Sequence, residues 1–186
     1  MNLTEEKINS NLLYNGRIIK LFNDEIRLPD GKQGFREYVK HPGGICVVPI
    51  TDNKEILLVR QYRYAYKSEV LEIPAGKRDS KTENTLDGGK REIKEELGVT
   101  AERFIFLGEF YPTPGYTDEV IYMYAALGLA FGDADPDEDE FVEMEKYPLD
   151  ALVDMIMQGK IKDGKTQAAV LKVKHLIDCG KIKQFC

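Results

Sequence analysis

REIKEELGV at residues 91–99 decides the reading of this chain. Glu92 and Glu96 lie four apart and stack on one helical face, and Glu95 falls within about 100° of both at 3.6 residues per turn. Leu86, Ile93 and Leu97 share a second face, because offsets of seven and four are near whole turns. The spacing therefore predicts a helix over 84–97, with Gly98 as its C-terminal stop. Three neighbouring carboxylates repel one another unless something positive sits among them. Mg²⁺ or Mn²⁺ prefers such oxygen ligands, and Mg²⁺ keeps waters and bridges to substrate phosphates. The alternative is a solvated face on which Lys90, Arg91 and Lys94 balance the charge. Gly88 and Gly89 each cost about 1 kcal/mol relative to Ala inside a helix. Close packing of the helix against a loop or sheet would account for them. Upstream, Pro74-Ala75-Gly76 ends the strand-like VLEI (70–73) and leads through KRDSKT into Glu83.

Outward from this helix the pattern changes period. Residues 16–40 read as a hairpin, with Pro29-Asp30-Gly31 as its turn and FREYVK (35–40) as its return. His41-Pro42-Gly43-Gly44 breaks the chain, which places a boundary between an N-terminal sheet (1–43) and a main domain (44–186). Strand-like runs follow at 45–51, 55–62 and 70–73, then beyond the helix at 104–110, 119–127 and 141–147. Pro148 and Asp163 open two closing helices, about 148–158 and 165–177. Strands and helices alternate without a regular βαβ rhythm. The expectation is a mixed α/β fold with a small antiparallel sheet at the N-terminus.

Composition narrows the function classes. The 186 residues carry 26 Lys and Arg against 32 Asp and Glu, a net charge of −6. Nucleic-acid binding needs clustered cations to neutralise phosphates, so no nucleic-acid partner is expected. The acidic excess suits cation sites instead. Cys46, Cys179 and Cys186 are odd in number and widely spaced, without a CxxC pair, and read as reduced thiols. MNLTEEKINSNLL has early acidic residues and no apolar core, unlike a signal peptide. The longest apolar run, at 121–131, is too short to span a bilayer. These features predict a soluble cytoplasmic protein without a membrane partner.

The helix and its upstream loop resemble the signature of the Nudix hydrolase family. Gly76, Glu83, Arg91, Glu92, Ile93, Glu95, Glu96, Gly98 and Val99 fall into its frame. One departure is that six residues, not five, separate Gly76 from Glu83, which places an extra residue in the loop 77–82. The resemblance extends over most of residues 15–178 and implies a mixed sheet sandwiched between helices. VRQYR (59–63), LEIPAG (71–76), Pro114 in YPTPGYTDE (111–119), EFVE (140–143) and DGKT (163–166) look like the ADP-ribose pyrophosphatase branch.

The resemblance implies Mg²⁺- or Mn²⁺-dependent hydrolysis of a nucleoside diphosphate sugar, with ADP-ribose giving AMP and ribose 5-phosphate. Another nucleotide sugar such as GDP-mannose, or a module that binds without hydrolysis, remains the alternative. Glu92 and Glu96 map onto metal ligands, Glu95 onto a further ligand or a water-mediated contact, and the backbone carbonyl of Ala75 onto a main-chain ligand. Arg91 maps onto an ion pair within the cluster. Glu83 reads either as a carboxylate behind the ligands or as helix-start electrostatics. Glu140, with Glu138 as second choice, maps onto the base that activates water, against the reading of 133–140 as a solvated acidic loop. Arg63 suits phosphate or ribose contacts, and Arg60 is an ambiguous second. Glu72 reads as a ribose acceptor or a surface strand residue. Phe22, Phe35 and Tyr38 are candidates to stack on adenine, or plain sheet packing. The branch further implies a homodimer built through the N-terminal sheet.

Overall fold

The structure is a computed structural model that describes residues 2–135 and 141–183. In chain order its elements are β1 (Glu6–Asn15), β2 (Lys20–Arg27), β3 (Gln33–Lys40), β4 (Gly44–Pro49), β5 (Glu55–Arg63), β6 (Ser68–Glu72), β7 (Ala75–Lys77), α1 (Thr85–Leu97), β8 (Val99–Phe110), β9 (Ile121–Phe131), β10 (Val142–Pro148), α2 (Leu149–Met157) and α3 (Gly164–Asp178). Internal contacts divide the chain into two units. One comprises Met1–Gly43 with Tyr111–Val120, the other Gly44–Phe110 with Ile121–Cys186.

The first unit is an antiparallel sheet in the order β1-β2-β3. The expected hairpin is β2–β3, and the Gly31 N–H closes its turn on the Leu28 carbonyl at 2.8 Å. Gly31 has φ +85°, a left-handed conformation that glycine adopts without steric cost. β1 has no counterpart in the sequence reading. EKINSNLLYN lacks the period-2 alternation of a half-buried strand, and all ten of its residues are exposed. Residues 111–120 join this unit because the Val39 N–H donates to the Tyr116 carbonyl (2.7 Å) and the Asp118 N–H to the Val39 carbonyl (3.1 Å). Pro114 and the start of the expected 119–127 strand therefore belong here, and β9 begins only at Ile121.

In the second unit, β4 explains the architecture. All six of its residues are buried, as a strand covered on both faces requires. Ile45 and Val47 pack with Leu57, Val59, Tyr124, Ala126 and the α1 residues Ile93 and Leu97. Cys46 and Val48 pack on the opposite side, with Ile56, Leu58, Met123, Ala125 and the α2 and α3 residues Leu152, Ile156, Ala169 and Val170. The period-2 alternation of three strands thus feeds two apolar layers, one under α1 and one under α2 and α3.

The four-stranded sheet, ordered β7-β4-β9-β8, is mixed: β4 runs parallel to β9 and antiparallel to β7. A second sheet, β10-β5-β6, is antiparallel. The three-residue β7 is too short to show a pattern in sequence. β8 extends upstream of the expected 104–110, because its register with β9 begins at Val99↔Phe131. No helix among the described residues is long and apolar enough to cross a membrane.

Candidate active site

α1 starts and stops by local chemistry. The Asn84 carboxamide accepts the N–H groups of Leu86 and Asp87, and Gly98 caps the C-terminus at φ 64°, its N–H reaching the Ile93 and Lys94 carbonyls. Its two internal glycines are explained by approach to β4. A Cβ on Gly88 would stand 2.3 Å from Ile45 Cδ1, and one on Gly89 would stand 3.3 Å from Val47 Cγ2. The helix backbone therefore lies directly on the sheet, which fixes where its acidic face points.

Glu92 and Glu96 are not on a solvated face: they are only 6% and 5% exposed. Both look onto the short strand β7. The Ala75 N–H donates to Glu96 Oε2 at 3.2 Å. A Cβ built on Gly76 would stand 2.0–2.1 Å from all three atoms of the Glu92 carboxyl group, so the first signature glycine is the seat of that carboxylate. Glu95 is half-open, its side chain 34% exposed.

Arg91 binds the cluster together, as the sequence reading expected. Its guanidinium meets Glu92 at 2.8 Å, Glu95 at 2.9 Å and Glu83 at 3.4 Å. Burial works against its charge, but Glu92, Glu95, Asp79 and Glu83 outweigh that and hold its pKa above the usual arginine range. Glu83 also accepts the Asp79 N–H at 2.9 Å, so its carboxylate both supports Arg91 and fixes the loop. The loop 77–82, one residue longer than the family frame, closes around the buried Arg78. Its Nη2 donates to the carbonyls of Lys81 (2.7 Å) and Glu83 (2.8 Å), and its guanidinium lies 5.1 Å from the Tyr122 ring.

A second polar cluster was only partly foreseen. Glu72 is not a surface strand residue: it is 1% exposed and both carboxylate oxygens are taken. Oε1 accepts from Arg63 Nε at 2.7 Å, and Oε2 accepts from Lys165 Nζ in a short bond. Lys165 also reaches Asp163 at 3.0 Å. Burial disfavours the charges of Arg63 and Lys165, yet the carboxylates around each raise both pKa values. Glu96 is among the charges acting on Arg63, which links this cluster to the first. Lys165 escaped the sequence reading because a lysine at a helix start normally marks a solvated turn. DGKT, with Asp163 as N-cap, was the available signal.

Arg60 is committed to Glu145 on β10, and Tyr147 also donates to that carboxylate. Arg60 and Tyr147 thereby depress the Glu145 pKa. Arg60, Arg63, Glu72, Asp163, Lys165 and Lys160 line a cavity of about 690 Å³. Tyr38 lies in the first unit, stacked on its cross-strand neighbour Phe22 with centroids 5.3 Å apart, while Phe35 is exposed. Glu138 and Glu140 lie outside the described residues.

The donor set fits a divalent cation. It consists of hard oxygens from three carboxylates, those of Glu92 and Glu96 buried, over a glycine whose missing side chain leaves room for one of them. Among the described residues no three acidic, His or Cys side chains already converge on one point, and Arg91 supplies the compensating charge.

Comparison with known proteins agrees. The NUDIX domain model matches residues 40–169, and the nucleoside diphosphate sugar hydrolase N-terminal domain matches residues 5–39. The chain belongs to the Nudix family, whose members generally use a divalent metal. It is 40% identical over 171 residues to the methanol dehydrogenase activator of Bacillus methanolicus, covering 90% of this chain and 92% of that one. It is 34% identical over 184 residues to the ADP-ribose pyrophosphatase of Bacillus subtilis (97% and 99% covered), and 31% identical over 144 residues to a GDP-mannose pyrophosphatase of Yersinia enterocolitica (72% and 74%). In fold it matches the crystal structure of an ADP compounds hydrolase with a TM-score of 0.84 at 21% identity, covering 98% and 100% of the two chains.

Proposed function

We propose that this chain is a Mg²⁺-dependent pyrophosphatase, with Mn²⁺ as an alternative metal, that cleaves ADP-ribose to AMP and ribose 5-phosphate. The observation that carries the chemistry is the buried pair Glu92 and Glu96 seated against Gly76 and Ala75. The choice of ADP-ribose is supported by the relative of that name, which aligns over nearly the whole of both chains.

Glu92, Glu96 and the Ala75 carbonyl would hold the cation, with Glu95 as a further or water-mediated contact, and a cation there would offset charge on the phosphoryl oxygens. Arg91 holds the carboxylates close together by its ion pairs. Arg63 binds the pyrophosphate or the terminal ribose by the rest of its guanidinium while Glu72 holds its Nε. Water adds to one phosphorus, the bond to the bridging oxygen breaks, and the water proton passes to a carboxylate base. We assign that base to Glu140, with Glu138 second. Glu72 is 1% exposed and each of its oxygens accepts from a cation, so its part is to orient Arg63.

The chain works as a homodimer in the cytoplasm on this reading. Support for the dimer is β1, whose Ile8, Leu12, Leu13 and Tyr14 are all exposed within a single chain. Light scattering that finds an active monomer at micromolar concentration overturns the dimer alone.

The test of substrate is kcat/KM at fixed Mg²⁺ for ADP-ribose, ADP-glucose, GDP-mannose and diadenosine polyphosphates. ADP-ribose is expected to lead. If it falls more than about tenfold below another compound, a gap of about 1.4 kcal/mol, the ADP-ribose assignment is lost and the pyrophosphatase chemistry stands. If nothing is cleaved, the non-hydrolysing module is the better reading. The 40% relative, named an activator of methanol dehydrogenase, favours a second use of the same site, in support of a dehydrogenase. Added to such an enzyme, wild-type protein would then raise its turnover and Glu96→Gln would not.

A further inference from the structure

We propose that Lys165 is a positioning residue for Arg63, acting through Glu72: the N-terminus of α3 clamps the carboxylate that aims the phosphate-binding guanidinium at the carboxylate cluster. This rests on the role given to Arg63 under the proposed function.

The geometry is a chain of ion pairs that crosses three elements. Asp163 caps α3, accepting the Thr166 N–H at 2.9 Å, and meets Lys165 Nζ at 3.0 Å. Lys165 Nζ then donates to Glu72 Oε2, and Glu72 Oε1 accepts from Arg63 Nε at 2.7 Å. Lys165 is 9% exposed and Glu72 1%, so water contributes little to the middle of the chain. With two cations and two carboxylates the chain is neutral, which a buried polar network requires.

The same helix start holds the backbone beside the site. Thr166 Oγ1 accepts the Ile73 N–H at 2.9 Å, and the Val47 N–H donates to the Pro74 carbonyl at 3.0 Å. The segment from Glu72 to Gly76 is thus anchored by α3 at one end and carries the seat of Glu92 at the other. A carboxylate bonded through one oxygen can swivel; one bonded through both cannot. Lys165 therefore decides whether Glu72 presents Oε1 to Arg63 in a single orientation.

The experiment compares Lys165→Met, Lys165→Arg, Arg63→Gln and the double variant Lys165→Met/Arg63→Gln. Because Lys165→Met strands buried carboxylates, Glu72→Gln/Lys165→Met is made alongside it as a neutral pair of similar volume that keeps the fold. The first readout needs no substrate: the ¹⁵N-resolved Arg63 Nε–H resonance, assigned by its loss in Arg63→Gln. It is expected to be sharp and slowly exchanging in wild type, largely retained in Lys165→Arg, and broadened or lost in Lys165→Met and in Glu72→Gln/Lys165→Met.

The second readout is the split of kcat and KM for ADP-ribose. Loss of an aimed, charge-assisted contact should raise KM by about 10–100-fold with a smaller change in kcat. In the Arg63→Gln background the further change to Met at 165 should cost less than about threefold, since the two residues act as one unit. An unchanged Arg63 resonance in both Met variants, or losses that multiply in the double variant, overturns the proposal. Wild-type inactivity on ADP-ribose with the resonance behaving as expected sinks the substrate assignment and leaves the positioning intact.

Discussion

Gly76→Ala tests the centre of the site with one methyl group. The added Cβ would sit 2.0 Å from Glu92 Oε2 and 2.1 Å from its Cδ and Oε1, where no carbon and oxygen can coexist without bonding. Glu92 is 6% exposed and its Oε1 is held by Arg91 at 2.8 Å, so the carboxylate is not a free end that swings into solvent. Either β7 moves off β4 or Glu92 leaves Arg91. Overpacking of this kind costs about 1–3 kcal/mol, and breaking the partly buried pair adds to it. Turnover should fall by a factor of about a hundred or more, because a catalytic carboxylate shifted by about 1 Å no longer holds its partner in reacting geometry.

The assays are urea unfolding and kcat/KM at saturating Mg²⁺. Gly115→Ala is the control: an added Cβ there meets nothing within 4 Å, and the change should lie within about 0.5 kcal/mol of neutral. The decisive comparison is a double-mutant cycle with Glu92→Ala, which removes the atoms struck. Gly76→Ala should destabilise the Glu92→Ala protein much less than wild type. Equal destabilisation in both backgrounds, or near wild-type activity of Gly76→Ala, refutes the placement of Glu92 over Gly76.

Glu96→Gln should lower turnover about a hundredfold or more at saturating Mg²⁺, and near wild-type activity there would remove Glu96 from the ligand set. Glu140→Gln should reduce kcat more than it raises KM, with Glu138→Gln as control; a larger loss in the control reverses the two assignments. Burial pushes the Cys46 thiol up to about 12, only partly offset by the Lys165 charge, from an ordinary 9.0. The unfolded chain therefore loses this proton first. The contribution is intact below pH 9 and is lost between pH 9 and about 12, at no more than about 1.4 kcal/mol per pH unit. Urea unfolding at pH 8 and 10.5 should show a steeper loss in wild type than in Cys46→Ala, and equal slopes contradict the buried thiol.

The parts of the fold legible in sequence are those where a strong local signal and burial coincide. α1 was readable because Leu86, Ile93 and Leu97 share a face and Gly98 ends it. The run at 45–51 was readable as a strand, but its six buried residues in β4 show no alternation, so the two layers it feeds were not separable from one sequence. β1 was missed because all ten of its residues are exposed, so EKINSNLLYN carries no one-sided pattern. The site divides the same way. Helical spacing put Glu92 and Glu96 on one face, a geometry fixed over four residues whatever the tertiary structure, while their reading as metal ligands and that of Arg91 as their ion pair came from the resemblance.

Arg63 and Glu72 were named from the sequence, but their pairing with each other and with Lys165 needed the third dimension. Glu72 and Lys165 are 93 residues apart, and nothing along the chain says that a lysine at a helix start closes on a strand carboxylate. That difference has a functional side. Glu92 and Glu96 are held to each other by one helix and change place only if α1 itself moves. The Glu72–Lys165 pair is held by the packing of α3 against the sheet, through Ala169, Val170 and Val173. Damage to that packing far from any phosphate should therefore be felt first at Arg63, as weakened substrate binding, while the carboxylate cluster on α1 keeps its geometry.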